Sequence, residues 1–245
     1  MIYGVFSDVH ANYDALRTVL KHLHSFRPEG YLCCGDLVGY GPQPNECVEL
    51  CFALPNFRCV IGNHDMSVLD RLPVAWFNSC AAEAIAFTIK TLSPKARSLL
   101  ETMPLSLDFG DITLVHGSPR NPAEEYLLTG EQFLENADFW KTQVCFVGHS
   151  HVPLAMSRAG EKFPEVTALR HGEKILLEPR ARYIFNPGSV GQPRDRNNRA
   201  SCGIFDTEAR TFEIFRLEYK VQKTQELMRR RGLSELLIER LGNGW

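Results

Sequence analysis

Residues 2–10 read IYGVFSDVH, an apolar run that ends abruptly in an aspartate and a histidine separated by one residue. Short apolar runs that end in polar residues recur at Tyr31–Gly35 and Phe57–Gly62. Between these runs, apolar residues recur at helical spacing over residues 12–26 and 43–54. Strands that alternate with helices of this length are typical of βαβ units, so the sequence predicts an α/β fold with a largely parallel sheet.

Residues 75–103 are predicted to be helical, and within them Ser93-Pro94 starts a second helix. The sequence pattern changes after this region. Short apolar runs then predict a second sheet, with a hairpin turn at Gly110-Asp111. Residues 219–241 are again helical, broken at Gly232-Leu233-Ser234, where the serine is a candidate N-cap. The strands predicted for this part are Leu105–Phe109, Ile112–Val115, Val144–Val147, Ile175–Glu178, Arg182–Phe185, Cys202–Phe205 and Phe212–Leu217.

Composition narrows the class of protein. The 44% hydrophobic and 23% charged fractions are close to the globular average and argue against disordered, collagenous and coiled-coil chains. A net charge of −2 supplies no global field for nucleic acid or an anionic membrane, so an anionic ligand must be held locally. No Gly/Ser-rich linker or repeat divides the 245 residues. We expect one domain over residues 1–245, with residues 219–245 as a C-terminal helical extension.

Several features favour a cytoplasmic location. The first residues lack the basic segment of a signal peptide, and no run reaches 18 apolar residues. Eight cysteines occur without a CxxC motif, and several lie inside apolar runs, which fits buried, reduced thiols. Cys47 and Cys51 share a helix face and could bind a metal, but no nearby partner completes a site.

Five predicted strands end in residues that can bind metal ions, and ligands of open α/β sheets bind beyond the carboxyl ends of the strands. Each motif alone is explained by a helix cap or a turn, but five in matching places are not. Imidazole, carboxylate and carboxamide groups together suit Mn, Fe, Zn, Ni or Co. Seven candidates exceed one ordinary centre, so two ions that share a carboxylate are expected. The candidates are Asp8, His10, Asp36, Asn63, His116, His149 and His151.

The order of these motifs resembles the calcineurin-like metallophosphoesterase superfamily over residues 1–151. The segment Asn186-Pro187-Gly188-Ser189 is similar to a bacterial and archaeal branch of small phosphodiesterases and diadenosine tetraphosphatase-like proteins. The motifs that carry the resemblance are Asp8-x-His10, Gly35-Asp36, Gly62-Asn63-His64-Asp65, His116-Gly117 and Gly148-His149-x-His151.

The resemblance implies a four-layer α-β-β-α sandwich of two mixed sheets flanked by helices. It also implies that His64 assists catalysis, either by protonating the leaving oxygen or by stabilising charge on phosphorus, and that Asp65 orients His64 by accepting its ring N–H. Asp36 would bridge two metal ions. By this likeness one ion is held by Asp8, His10, Asp36 and His151, and the other by Asp36, Asn63, His116 and His149.

The implied activity is hydrolysis of a small phosphate ester by metal-activated hydroxide, with His64 as general acid and manganese as the first choice of metal. Arg120 and Arg194 are candidates to bind phosphate oxygens. The alternative for both is an ion pair within the protein, which for Arg194 would involve Asp195 or a neighbour.

The walls of the pocket decide between a monoester, a diester and a dinucleoside polyphosphate. The candidate walls are Asp70–Phe87 and Ser118–Tyr126, in which Trp76, Phe77 and Tyr126 would stack on a base or pack in the core. The preferred ligand is a small phosphorylated compound or nucleotide, with no membrane partner.

A dinucleoside polyphosphate hydrolase is one alternative function. A catalytically weak metal-binding scaffold is another, although no candidate ligand is missing. A nuclease is the third, although the net acidity argues against it. The oligomeric state and the metal used in the cell stay open.

The remaining polar residues of interest have structural explanations. Asn12 is expected to cap the first helix, and Asn186 to shape the turn that follows it. His22, His24 and His171 are expected to be structural. Arg229-Arg230-Arg231 is expected to be the solvated end of a helix.

Overall fold

The computed structural model describes all 245 residues, Met1–Trp245. It contains twelve strands and eight α-helices, with a 3-10 turn at Val74–Trp76. The strands are β1 (Ile2–Phe6), β2 (Gly30–Cys33), β3 (Phe57–Cys59), β4 (Ser106–Phe109), β5 (Ile112–Val115), β6 (Val144–Phe146), β7 (Leu154–Ala159), β8 (Glu165–Ala168), β9 (Lys174–Leu176), β10 (Ala181–Asn186), β11 (Ala200–Asp206) and β12 (Thr211–Leu217). The helices are α1 (Tyr13–His24), α2 (Pro44–Phe52), α3 (Asn63–Val68), α4 (Ser79–Thr91), α5 (Pro94–Glu101), α6 (Gly130–Asn136), α7 (Val221–Arg230) and α8 (Glu235–Asn243).

The strands form two six-stranded mixed sheets, which confirms the predicted second sheet. The order in the first sheet is β3-β2-β1-β11-β12-β9, and in the second β4-β5-β6-β10-β7-β8. β1, β2 and β3 are parallel neighbours, as are β5, β6 and β10, and the remaining pairs are antiparallel. Each sheet therefore contains three adjacent parallel strands whose carboxyl ends lie at one edge.

The two sheets face each other. Side chains along β2 alternate, so that Leu32 lies in the cluster between the sheets while Cys33 packs against the helices outside the first sheet. Burial on both faces explains why this strand reads as a continuous apolar run. Across the sheets, the ring of Phe146 lies 5.4 Å from those of Phe205 and Phe212.

Helices cover the outer face of each sheet. The apolar sides of α1, α2 and α5 pack on the first sheet. On the second sheet, Phe133 of α6 and Trp140 pack against Cys145 and Ile184. The layers therefore run helix, sheet, sheet, helix, which confirms the four-layer sandwich.

The last two helices pack against α4 through a separate cluster that includes Ala84, Met228 and Ile238. Ser234 is the N-cap residue of α8, as predicted, although its side chain makes no capping hydrogen bond. The backbone N–H of Leu237 instead donates to the carbonyl oxygen of Ser234. None of the helices is long and apolar enough to cross a bilayer.

Sequence patterns missed two strands and misplaced others. β8 is an edge strand whose four residues are all exposed, so it shows no clear apolar pattern, and β7 is a buried apolar run only in its first half, residues 154–156. The strand expected at Ile175–Glu178 is Lys174–Leu176. The run at Phe57–Gly62 is a strand only to Cys59, because Gly62 already begins α3 as its N-cap.

Candidate active site

The candidate metal-binding residues lie together at one edge of the paired sheets. The first sheet contributes the ends of its three parallel strands, and the second sheet contributes the ends of β5 and β6. All seven side chains are buried, and Asn63 is the most exposed of them at 9%. They are Asp8, His10, Asp36, Asn63, His116, His149 and His151.

Five of these seven residues adopt a left-handed backbone conformation. Residues with a Cβ rarely do so, because the Cβ crowds the neighbouring carbonyl. Such strain persists where the surrounding structure enforces it, and it is concentrated at functional sites. The φ angles are 53° at Asp8, 46° at His10, 53° at Asp36, 65° at His149 and 60° at His151.

One group of donor atoms surrounds His10. Its Nε2 lies 3.1 Å from Nε2 of His151 and 3.6 Å from Oδ2 of Asp36. Oδ1 of Asp8 lies 3.3 Å from Nε2 of His151 and 3.9 Å from Nε2 of His10. Four side chains from three loops therefore aim their donor atoms at one small volume.

A second group surrounds His116. Its Nε2 lies 2.9 Å from Oδ1 of Asn63, 3.1 Å from Nδ1 of His149 and 3.4 Å from Oδ2 of Asp36. Asp36 faces both groups. Its Oδ1 accepts the backbone N–H of His64 at 2.9 Å, whereas Oδ2 is buried without a hydrogen-bond partner.

The four imidazoles of the two groups are oriented by backbone carbonyls. Nδ1 of His10 donates to Val38 O, Nδ1 of His116 to Cys34 O, Nε2 of His149 to Glu124 O and Nδ1 of His151 to Gln192 O. A carbonyl oxygen only accepts, so the ring nitrogen that faces it carries the proton.

In a neutral ring, the other nitrogen then presents a lone pair. When both rings of a pair are neutral, two such lone pairs face each other 3.1 Å apart and cannot form a hydrogen bond. A cation between them removes this repulsion, so the donor set fits divalent metal ions.

Neighbouring charges shift the pKa values of adjacent rings in opposite directions. Burial disfavours protonation of His116, but the carboxylates of Asp36 and Asp8 outweigh it and raise its pKa to about 9. Burial, reinforced by the positive charge of His116, lowers the pKa of His149 to about 3. The second group therefore accommodates positive charge readily but does not protonate both rings.

His64 lies beside both groups without belonging to either carbonyl-held set. Its ring packs 4.4 Å from Tyr40 and 4.9 Å from Phe77, measured between ring centroids. Gly39, at φ 91°, allows this approach, because a Cβ there would collide with Nδ1 of His64. Burial lowers the pKa of His64 to about 4, so the ring is neutral at pH 7 in the free site.

Asp65 does not accept a hydrogen bond from the ring of His64, so that prediction is wrong. Its Oδ1 accepts from Val38 N and its Oδ2 from Gly62 N, both at 3.1 Å, while Nδ1 of His64 has no partner. Consecutive side chains on a helix point about 100° apart, which separates the two groups. Burial and the charge of Asp36 raise the pKa of Asp65 to about 7.

The two candidate phosphate-binding arginines lie in different surroundings. Arg194 lines the pocket beside the metal-binding groups, 3.3 Å from Oη of Tyr40 and 3.4 Å from Oη of Tyr126. It forms no ion pair with Asp195, which pairs with Arg216.

Arg120 does not line this pocket. Its guanidinium forms ion pairs with Glu125 and Glu135, so for Arg120 the alternative of an internal ion pair is correct. The spacing of Arg120 from His116 in the sequence gave no sign of these two carboxylates.

The pocket has a volume of about 320 Å³, within the range of small-molecule sites. Both predicted wall segments contribute to it, the first through Trp76 and Phe77 and the second through Glu124 and Tyr126. The Tyr126 ring stacks on His149 at 4.2 Å and 12°. Trp76 is 63% exposed, so it is not packed in the core.

Two pocket residues were absent from the sequence predictions. Tyr40 packs on both His10 and His64, and its place four residues after Asp36, between two glycines, was an available signal. Arg240 comes from α8, and no sequence pattern connects it to the strand ends.

The structural roles predicted for two asparagines are confirmed. Asn12 caps α1 by accepting from Ala15 N at 3.2 Å. Oδ1 of Asn186 accepts from Gly188 N at 2.8 Å, which holds the turn after β10.

Other polar groups lie away from the site. His171 accepts from Arg216 N, and His22 packs 4.5 Å from Phe215. Cys47 and Cys51 are buried in the helix-facing core, where burial raises the pKa of both thiols, and no metal-binding cluster forms there.

Comparison with known proteins agrees with this geometry. A family model described as the calcineurin-like phosphoesterase superfamily domain matches residues 1–210. The chain belongs to this superfamily. It is therefore a metal-dependent hydrolase of phosphate esters, and the superfamily implies divalent metal ions that the clustered donors of the site can hold.

Relatives of the phosphoesterase match it over almost its whole length. It is 38% identical to an uncharacterized protein of Methanocaldococcus jannaschii over 97% of this chain and 96% of that one. The crystal structure of a metallophosphoesterase from Sphaerobacter thermophilus matches with 40% identity and a TM-score of 0.90, covering 100% of this chain and 99% of that one. A hypothetical protein of Pyrococcus horikoshii, at 19% identity and a TM-score of 0.81 over 100% and 98% of the chains, shares the fold.

Replacement of Gly62 by alanine in this phosphoesterase is expected to disturb the site. An added Cβ would overlap the backbone N and the carboxylate of Asp36. We expect a destabilisation of about 1–3 kcal/mol and a loss of bound metal, measured by thermal unfolding and elemental analysis. Gly242→Ala is the control, because its Cβ meets only the flexible end of Gln225. Normal metal content in Gly62→Ala would contradict the tight packing of Asp36.

Proposed function

We propose that the chain is a dinuclear metal-dependent phosphoesterase that hydrolyses a small phosphorylated compound or nucleotide. The observation that supports two ions is Oδ2 of Asp36, which lies 3.6 Å from His10 Nε2 and 3.4 Å from His116 Nε2 without a hydrogen-bond partner. One ion would be held by Asp8, His10, Asp36 and His151, and the other by Asp36, Asn63, His116 and His149.

When bound, two divalent ions lower the pKa of water towards neutrality and withdraw charge from phosphate oxygens. The carbonyls that hold the four imidazoles place the proton of each neutral ring on its outward nitrogen, so that the inward nitrogens present lone pairs to a cation. Manganese is our first choice of metal, with Fe, Zn, Ni or Co as alternatives, because the donors mix imidazole, carboxylate and carboxamide.

His64 is the proposed proton donor to the leaving oxygen. It lines the pocket and lies next to the donor groups, with a ring centroid 4.9 Å from that of His10. Its low pKa in the free site reflects burial. A bound phosphate places negative charge beside the ring, which favours the imidazolium and raises that pKa. Asp65 contributes by holding the loop at Val38 and Gly62 rather than by touching the ring.

A dinucleoside polyphosphate is the second candidate substrate. Trp76 is 63% exposed and Tyr126 is 42% exposed, and both line the pocket, so each offers a ring on which a base could stack. The proposal of catalysis is favoured over a metal-binding scaffold because every donor of the two groups and His64 are present together.

The first test compares three substrates with protein that has been stripped by a chelator and reloaded with Mn²⁺. The substrates are an aryl phosphate, the corresponding aryl phosphodiester and a dinucleoside tetraphosphate. We expect Mn²⁺-dependent turnover of at least one substrate and no turnover before reloading. Protein that binds two ions and hydrolyses none of the three would favour the scaffold alternative.

Two observations support the proposed compartment and domain organisation of the protein. All eight cysteines are free and seven are buried, which supports a reducing compartment such as the cytoplasm. Residues 219–245 share the α4 cluster, which supports a single domain with a C-terminal helical extension.

A further inference from the structure

Arg240, contributed by the C-terminal extension, lines the same cavity as Asp36, His64 and Arg194. We infer that Arg194 and Arg240 form a second anion subsite, and that the substrate carries a second phosphate group besides the one that is hydrolysed. This inference rests on the proposed function of the pocket and specifies the class of substrate that it takes.

No aspartate or glutamate side chain pairs with either arginine. Arg194 contacts the hydroxyls of Tyr40 and Tyr126 and Oε1 of Gln192, and its Nε is buried without a partner. Nε of Arg240 donates to the main-chain oxygen of Trp245 at 2.6 Å, and its other guanidinium nitrogens form no hydrogen bond. Several donors on two guanidinium groups therefore remain available to a ligand.

Other arginines of the protein show the contrast. Arg120, Arg216 and Arg229 each pair with a carboxylate. Among the acidic residues, only Asp36 and Glu124 line the cavity. Asp36 belongs to the metal-binding groups, and Glu124 forms no ion pair with either arginine.

The two positive charges also oppose each other. Burial and the charge of Arg194 lower the pKa of Arg240, although a guanidinium stays protonated at pH 7. A multiply charged anion between the two groups replaces this repulsion with attraction. A phosphate suits this arrangement because it has oxygens for two guanidinium forks, whereas a carboxylate has only the two oxygens that a single fork satisfies.

The anion subsite includes a residue from a part of the chain that does not contribute to the metal-binding groups. Those groups come from strand ends within residues 1–151, whereas Arg240 lies outside the residues 1–210 that match the family model. The C-terminal extension thereby supplies a residue that selects the substrate. A compound with two phosphates, or with a chain of phosphates, would place one at the metal ions and another at the arginines.

Binding measurements test this inference without relying on turnover. Calorimetry with Mn²⁺-loaded protein compares methylphosphonate, alkylene diphosphonates with one to three methylene groups, and phosphonoacetate. We expect the best diphosphonate to bind at least about 10-fold more tightly than methylphosphonate or phosphonoacetate. Arg240→Gln should lower the affinity for the diphosphonate by about 10-fold to 100-fold and the affinity for methylphosphonate much less. Arg240→Lys keeps the charge but not the fork, so an intermediate loss is expected.

Arg230→Gln is the matched control, because it removes the same charge from the same extension at an exposed position. It should leave the diphosphonate affinity unchanged. The proposed subsite would be overturned if wild type and Arg240→Gln bound the diphosphonate with equal affinity. It would also be overturned if the substitution lowered the affinities for the diphosphonate and for methylphosphonate equally. Equally tight binding of phosphonoacetate would overturn the assignment to phosphate. Absence of turnover on the three test substrates would count against the proposed function. The preference for a diphosphonate is measured by calorimetry and does not depend on turnover.

Discussion

Asp36→Asn is expected to lower metal-dependent turnover by at least about 10³-fold, since the ions supply several kcal/mol of transition-state stabilisation. The substituted amide replaces Oδ2, which faces both His10 and His116, with a group that cannot bind a cation. The remaining Oδ1 can still accept the N–H of His64, so the loop should keep its conformation. One substitution should therefore affect both ions.

Elemental analysis and turnover together check this expectation. We expect about two ions per wild-type chain and fewer than one per Asp36→Asn chain after the same loading. Asp65→Asn is the control, because this carboxylate is equally buried but accepts only backbone N–H groups. It should keep both ions and lose about 1–3 kcal/mol of stability, seen in thermal unfolding. Two retained ions and normal turnover in Asp36→Asn would exclude the bridging role.

The sequence predicted the parts of the site that depend on topology. Asp8, Asp36 and His116 directly follow apolar runs, and parallel strands bring their carboxyl ends to one edge, so the pattern alone places these residues together. The continuous apolar runs arise because strands such as β2 are buried on both faces. Buried parallel strands and their ends are therefore the most predictable features of the fold.

Features that depend on side-chain direction were harder to predict. Asp65 adjoins His64 in the chain, yet the helix turns the two side chains apart. Arg120 is near His116 in the chain, but Glu125 and Glu135 draw its guanidinium away from the pocket. Arg240 reaches the pocket only because α8 packs beside α4, a contact between segments more than a hundred residues apart that no local pattern records.

His64→Gln is expected to slow hydrolysis of esters with poor leaving groups by about 10²-fold to 10⁴-fold, because a glutamine cannot transfer a proton to the departing oxygen. Esters with good leaving groups need no such proton and should lose much less. The measurement is kcat for a series of aryl phosphates whose leaving phenols range from strongly to weakly acidic. We expect a steeper dependence on phenol pKa in the variant than in the wild type.

The same series separates the two roles that His64 can have. A glutamine amide still donates a hydrogen bond, so it would preserve part of a role in stabilising charge on phosphorus, whereas His64→Ala would preserve neither role. If His64 acts as the general acid, both variants should show the same steep dependence on the leaving group. An equal loss for good and poor leaving groups, with a smaller loss in His64→Gln than in His64→Ala, would instead assign charge stabilisation. Both variants should retain about two ions, because His64 belongs to neither carbonyl-held group of donors.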